Sequence, residues 1–338
     1  MLTLENLAAA VLLLGLIMYA VFAGADFGGG IWTAFASGPR AREQRESLFH
    51  AIGPVWETNH VWLIFVVVVL FTAFPKGFAA IFIALLVPLV IALIGINLRG
   101  AAFAFRHFGR QTGREVPLIA RTFEISSVST PLALGVAVTS TATGRIGFQN
   151  GLIESGMHSW LTPFTMIGGV TGMAICAYLA PIYMTVRTTG ELREDFRRYG
   201  MLAGFVLAIL TTAEIPVARF DAPLFAERLL STWATLFVAL AVTTGTTTEV
   251  LLWRRKYRWA QICAAATVAL TIIGFWAAMF PDLLIGQLSL SAAAAPRSAL
   301  IAFFSVIPFG VLILAPSLLL LYWVFRGEPN PDLPIVKR

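Results

Sequence analysis

Long apolar runs recur along the chain, and most polar residues fall in short stretches between them. A helix needs roughly 20 apolar residues to cross the hydrocarbon core of a bilayer. About nine runs reach that length, near 8–35, 52–73, 76–98, 119–142, 160–184, 199–218, 229–252, 258–279 and 299–325. The pattern predicts an all-α integral membrane protein, a bundle of about nine transmembrane helices. It forms one polytopic domain over 1–325, with a short polar, proline-containing tail at 326–338. No convincing internal repeat, low-complexity segment or soluble domain interrupts it.

Composition agrees with this pattern. The chain is 58% hydrophobic and 12% charged, against about 25% charged for a soluble domain. A net charge of +6 would fit nucleic acid, but the basic residues sit in clusters between apolar runs. With nine spans, 19 of the 24 Lys and Arg residues fall on one side, in the loops near 36–51, 99–121, 187–198 and 253–258 and in the tail. The positive-inside rule then places the N-terminus outside and the C-terminus in the cytoplasm. The first run is longer than a signal h-region and follows no basic segment, so no cleaved leader is expected. Cys176 and Cys263 lie far apart in apolar segments and suggest neither a disulfide framework nor a metal site.

Small residues mark close helix packing, which carries much of the association between helices in lipid. Gly24 and Gly28 form a GxxxG pair, followed by Gly29 and Gly30; "GGVTG" at 168–172 and "TTGTTT" at 243–248 continue the habit.

Carboxylates inside spans are costly and tend to face a bundle interior or a water-filled cavity. Five acids lie within or at the edge of spans: Asp26, Glu57, Glu124, Glu214 and Glu249. The last three are expected near span ends, snorkelling or pairing at the interface. Asp26 precedes the cytoplasmic end of the first span and Glu57 follows the start of the second. At 1.5 Å per residue both sit about 9–14 Å below the cytoplasmic edge. Glu57 shares a helix face with His60, and Trp56, Asn59 and Trp62 occupy adjacent faces. Arg99, at the end of the third span, is a counter-ion of similar depth. A carboxylate balanced between burial and a nearby Arg can relay protons; a fixed ion pair that only orients helices fits the residues equally well. Of the four histidines only His60 lies clearly within a span, and no Met forms a persuasive haem-ligand pair with it.

The motifs "GADFGGGIW", "GPRAREQRE", "AIGPVWETNHVWLIFVVVVLFTAFP" and "GINLRGAAFAFR" follow one another in that order, and "LTPFTMIGGVTG" and "MTVRTTGELR" come later. Together they resemble subunit II of the bacterial cytochrome bd-type quinol oxidases, including the cyanide-insensitive branch. The likeness is strongest over the first 110 residues or so. "AAMFPDLLIG" keeps the family's Met-Phe-Pro-like turn but not the Pro-Ser pair expected after it.

The resemblance implies a heterodimer in the bacterial cytoplasmic membrane that oxidises quinol and reduces dioxygen to water. Subunit I would carry two haems b, the haem d and the quinol-oxidising loop. Subunit II would carry no haem and would scaffold its partner, with a structural quinone in some members and a small accessory subunit in some complexes. By motif position Glu57 matches the acid of a cytoplasmic proton path, and Asp26 and Arg99 match the other embedded charges. His60 and Asn59 would order water near Glu57. Trp56 and Trp62 match family tryptophans, one near a lateral route for oxygen. Two rival classes stand beside this one: an ion-coupled secondary transporter, for which intramembrane acids near glycines are also suited, and a membrane scaffold with no part in proton transfer.

Overall fold

The computed structural model describes residues 3–52, 56–111, 117–149, 152–153 and 156–324, with the backbone alone at 52, 56–58, 107–111, 149, 318 and 321–324. The expected tail at 326–338 lies outside the described residues. The chain is nearly all helical. In order it forms α1 (Leu4–Phe35), α2 (Ala41–Ile52), α3 (Trp56–Ala73), α4 (Pro75–Ala84), α5 (Leu86–Gln111) and α6 (Pro117–Ser140). Then come α7 (Pro163–Arg187), α8 (Gly190–Asp221), α9 (Pro223–Leu229), α10 (Thr232–Trp253), α11 (Tyr257–Met279), α12 (Leu290–Ala293) and α13 (Arg297–Val324). Two short antiparallel hairpins lie in the connections, pairing Phe148 with Ile153 and Asp282 with Ser289.

Among the described residues, seven helices are long and apolar enough to cross a membrane: α1, α5, α7, α8, α10, α11 and α13. The expected spans at 52–73 and 119–142 appear as α3 and α6. In α3 the apolar stretch Asn59–Ala73 is shorter. In α6 serines and threonines lower the hydropathy, but several of their hydroxyls bond their own helix. Ser127, Thr139 and Ser140 donate to the carbonyls of Phe123, Gly135 and Val136 at 2.7, 2.8 and 2.7 Å. Hydroxyls that bond back to their own helix lower the cost of a polar composition.

Three boundaries differ from expectation. The run at 76–98 is two helices, α4 and α5, separated at Leu85. Pro88 has no N–H, and in one continuous helix its ring would collide with the carbonyl of Ala84. The stretches 36–51 and 187–198, read as loops, hold α2 and the first turns of α8. These polar segments pack on each other through charge. Arg40 donates to both carboxylate oxygens of Asp195 at 2.8 and 2.7 Å and also pairs with Glu191, while Gln44 donates to Asp195 at 2.9 Å. Hydrogen bonding to Asp195 pushes the Arg40 guanidinium above its ordinary pKa. At the other end of α8, Asp221 pairs with Arg145 and accepts from the N–H of Phe164 in the first turn of α7, where the helix dipole favours an anion.

α1 packs against α3, α6, α7 and α11. It reaches α7 so closely that a Cβ on Gly28 would overlap the carbonyl oxygen of Cys176. Gly28→Ala is therefore expected to overpack this contact, at about 1–3 kcal/mol, and to lower the thermal unfolding midpoint of the detergent-purified protein. Gly310→Ala, with nothing within 4 Å of the added carbon, should leave it unchanged. Equal midpoints for the two variants would contradict a required close approach at Gly28.

Candidate functional site

The deepest charges in the bundle belong to one constellation. α1 supplies Asp26, α5 supplies Arg99 and α6 supplies Ser127. Asp26 is 4% exposed and Arg99 1%. The guanidinium meets the carboxylate in a fork: Nη1 donates to Oδ2 at 3.0 Å and Nη2 to Oδ1 at 2.9 Å. Nη2 also donates to the Asp26 backbone carbonyl, and Nε to Ser127 Oγ, each at 3.0 Å. Ser127 Oγ can accept because its own proton goes to the Phe123 carbonyl. Phe27 and Phe123 hold their ring centroids 4.8 and 5.0 Å from the guanidinium carbon, a stacking suited to a planar cation.

Local sequence makes this geometry possible. A Cβ on Gly30 would overlap Ser127 Oγ, so only glycine lets α6 come close here. Gly24 and Gly28 face α7 through Leu179 and Cys176, and Gly29 is buried. Arg99 does not end its helix as expected. α5 continues to Gln111, so the cation sits inside the helix; chain polarity rises after Arg99, but the helix does not stop where polarity begins.

The α3 residues lie beside this pair. The His60 ring packs between Tyr19 and Phe27 at centroid distances of 6.4 and 6.0 Å, within electrostatic reach of Asp26 and Arg99. Asn59 is buried. Trp62 is half-buried, its ring edge-on to Phe65 at 6.1 Å, and it packs on the cluster of Tyr19, Ala23 and Phe27. Trp56 and Glu57 open α3, but their side chains lie outside the described residues.

Sequence reasoning missed Ser127, Phe123 and Phe27 as members of the site. A serine or phenylalanine in an apolar run carries no signal of its own, and only Gly30 pointed to a close neighbour. Glu214 and Glu249 also depart from expectation. Each holds an Oε1 that is buried without a hydrogen-bond partner, rather than snorkelling to an interface. Glu124 lines an open groove of about 1020 Å³ beside α6, with Arg45, Arg106 and Arg121.

Among the described residues no three His, Cys, Asp or Glu side chains converge on a point that could hold a metal ion. His50 and His158 are exposed, and His60 has aromatic rings on its flanks. The His107 side chain lies outside the described residues.

Residues 4–325 match the family described as cytochrome bd terminal oxidase subunit II. Cytochrome bd ubiquinol oxidase subunit 2 of Bacillus subtilis (strain 168) is 26% identical over 266 residues, 78% of this chain and 77% of that protein. Cytochrome bd-I ubiquinol oxidase subunit 2 of Escherichia coli (strain K12) is 30% identical over 207 residues. That match covers 60% of this chain and 53% of the relative, about half its length. A chain in the solved structure of bd oxidase from Geobacillus thermodenitrificans superposes with a TM-score of 0.75 at 22% identity, over 96% of this chain and 99% of that one. At that identity the likeness is one of fold.

Arg99→Met would leave the Asp26 carboxylate buried and unpaired, at about 3–5 kcal/mol. Its thermal unfolding midpoint in detergent should fall well below wild type. Arg99→Lys should recover only part of the loss, because an ammonium lacks the planar fork. A wild-type midpoint for Arg99→Met would contradict a stabilising role for the pair.

Proposed function

Because the chain belongs to the cytochrome bd terminal oxidase subunit II family and is thus a subunit of a quinol:oxygen oxidoreductase, we propose that it is the haem-free partner of a haem-bearing subunit I. In this reading it crosses the bacterial cytoplasmic membrane nine times, with α3 and α6 completing the seven strongly apolar helices. The N-terminus faces outward and the C-terminus inward, as the distribution of basic residues favours. Exposed apolar side chains on α5, such as Val87, Ile91 and Ile94, meet lipid or subunit I. Family membership favours the oxidase over an ion-coupled carrier.

Dioxygen reduction at a haem in subunit I consumes protons drawn from the cytoplasm, and quinol oxidation releases protons outside. That separation charges the membrane without a pump. Subunit II contributes the entrance of the inner path, and Glu57 carries the proton. His60, one turn along the same helix face, and the buried Asn59 order water around it.

The observation that carries this assignment is the saturation of Asp26. Both of its carboxylate oxygens and its backbone carbonyl accept from Arg99. A carboxylate clamped in this way has its acceptor sites occupied and fixes the positions of α1, α5 and α6. Asp26 is therefore a positioning residue and Glu57 the relay.

Glu57→Ala in the intact complex, with all haems present by visible spectroscopy, should lower oxidase turnover on the order of 100-fold, the effect of removing a general acid–base group. Glu57→Asp should retain much of the activity. Asp26→Asn should act on assembly and haem content, with near-normal turnover per assembled haem. Wild-type turnover in haem-replete Glu57→Ala would remove the relay role, and lost turnover in fully assembled Asp26→Asn would transfer it to Asp26.

A further inference from the structure

A second set of polar atoms lies away from the Asp26–Arg99 pair, where α7, α8, α10 and α11 meet. Glu249 stands in the last turns of α10, half-buried. Its Oε1 is fully enclosed and has no hydrogen-bond partner. Gly204 of α8 makes room for it, since a Cβ at Gly204 would overlap that oxygen. Tyr178 of α7 forms the opposite wall. It is 1% exposed, and its ring edge approaches to 3.1 Å of the same Cβ position. Its hydroxyl is buried without a hydrogen bond, beside Thr248 and Thr267 and within electrostatic reach of Glu249.

The oxygens gathered here are mostly acceptors. Thr248 Oγ1 donates to the Thr244 carbonyl at 2.9 Å, and Thr244 Oγ1 donates to the Leu240 carbonyl at 2.9 Å. Thr267 Oγ1 lies 2.8 Å from the Cys263 carbonyl and 3.1 Å from Thr244 Oγ1. Their protons are turned back along the helices that carry them, so lone pairs remain for a ligand. The Tyr178 O–H is the single mobile donor in this set. Among the described residues no basic side chain pairs with Glu249. The other titratable groups facing the pocket are Tyr178 from α7 and Cys263 from α11; α8 presents the bare backbone of Gly204. The C-terminal end of α10 adds the negative pole of a helix dipole; Arg254, Arg255, Lys256 and Arg258, beyond that end, are exposed and none pairs with Glu249.

A buried carboxylate beside lone pairs and a negative helix end calls for positive charge. Carboxylate and hydroxyl oxygens suit a hard cation. Apolar side chains flank the set along the bundle. Ala174, one turn back along α7, and Leu207, one turn on along α8, are both buried. Leu252 and Ala260 are buried on the side of the α10–α11 turn, and Glu249 itself remains half-buried.

We infer that these four helices enclose a site for one monovalent cation, with Glu249 as the anionic ligand and Tyr178 and Thr248 as neutral oxygen ligands. The cation is a proton on Glu249 or an alkali ion in contact with it.

Infrared difference spectra of the intact oxidase tests this, recorded between acid and alkaline buffer in choline, sodium and potassium chloride. In choline, wild type should show the C=O stretch of a buried protonated carboxyl, and Glu249→Gln of equal haem content should lose it. Persistence of the band in sodium and potassium identifies the proton as the occupant; its loss in one of those salts identifies that ion. Tyr178→Phe should shift the band and keeps the test open if Glu249→Gln does not assemble. Absence of any carboxyl band sensitive to Glu249→Gln, or a band untouched by Tyr178→Phe, would overturn the site.

Discussion

A guanidinium buried in an apolar bundle must be met on every side, and this requirement organises the first half of the molecule. Arg99 loses its water completely, so the fold returns a carboxylate, a backbone carbonyl, a hydroxyl and two aromatic faces. Removing one partner of such a pair strands the other charge. The pair therefore sets the mutual position of α1, α5 and α6, and the glycines of α1 follow from it. Gly30 admits the serine that completes Arg99, and Gly28 admits α7 on the opposite face.

This division of labour separates two carboxylates that look alike in the sequence. Asp26 has both its carboxylate oxygens occupied by Arg99, and we assign it the anchoring role. Glu57 opens the neighbouring helix, one turn before His60, whose ring lies between Tyr19 and Phe27 beside the anchor. The second half of the bundle follows a different rule, in which unpaired oxygens of Glu249 and Tyr178 leave a charge to be supplied from outside the chain.

Much of this was legible in the chain. Apolar runs marked the helices that cross, and acids and an arginine inside those runs marked the buried charges, because such residues are too costly in lipid to be incidental. Polarity failed as a guide to helix ends. α5 runs through Arg99, and α2 and the start of α8 are helices made of charged residues that satisfy one another. The break at Leu85 was carried by Pro88, a local backbone signal hidden within a continuous apolar run. Ser127 and Phe123 were invisible because their part in the site comes from tertiary packing, and the enclosed oxygens of Glu214 and Glu249 depend on what neighbouring helices cover.

The dependence of the bundle on one buried pair can be measured as a coupling energy. A double-mutant cycle on Asp26→Asn and Arg99→Gln, read from unfolding of the detergent-purified complex, isolates it. Each single variant strands a polar or charged partner, whereas the double variant leaves two neutral amides that can bond each other. The expected result is a double variant more stable than the sum of the singles by about 2 kcal/mol or more. Additive losses would contradict the pair as the organising contact of the fold.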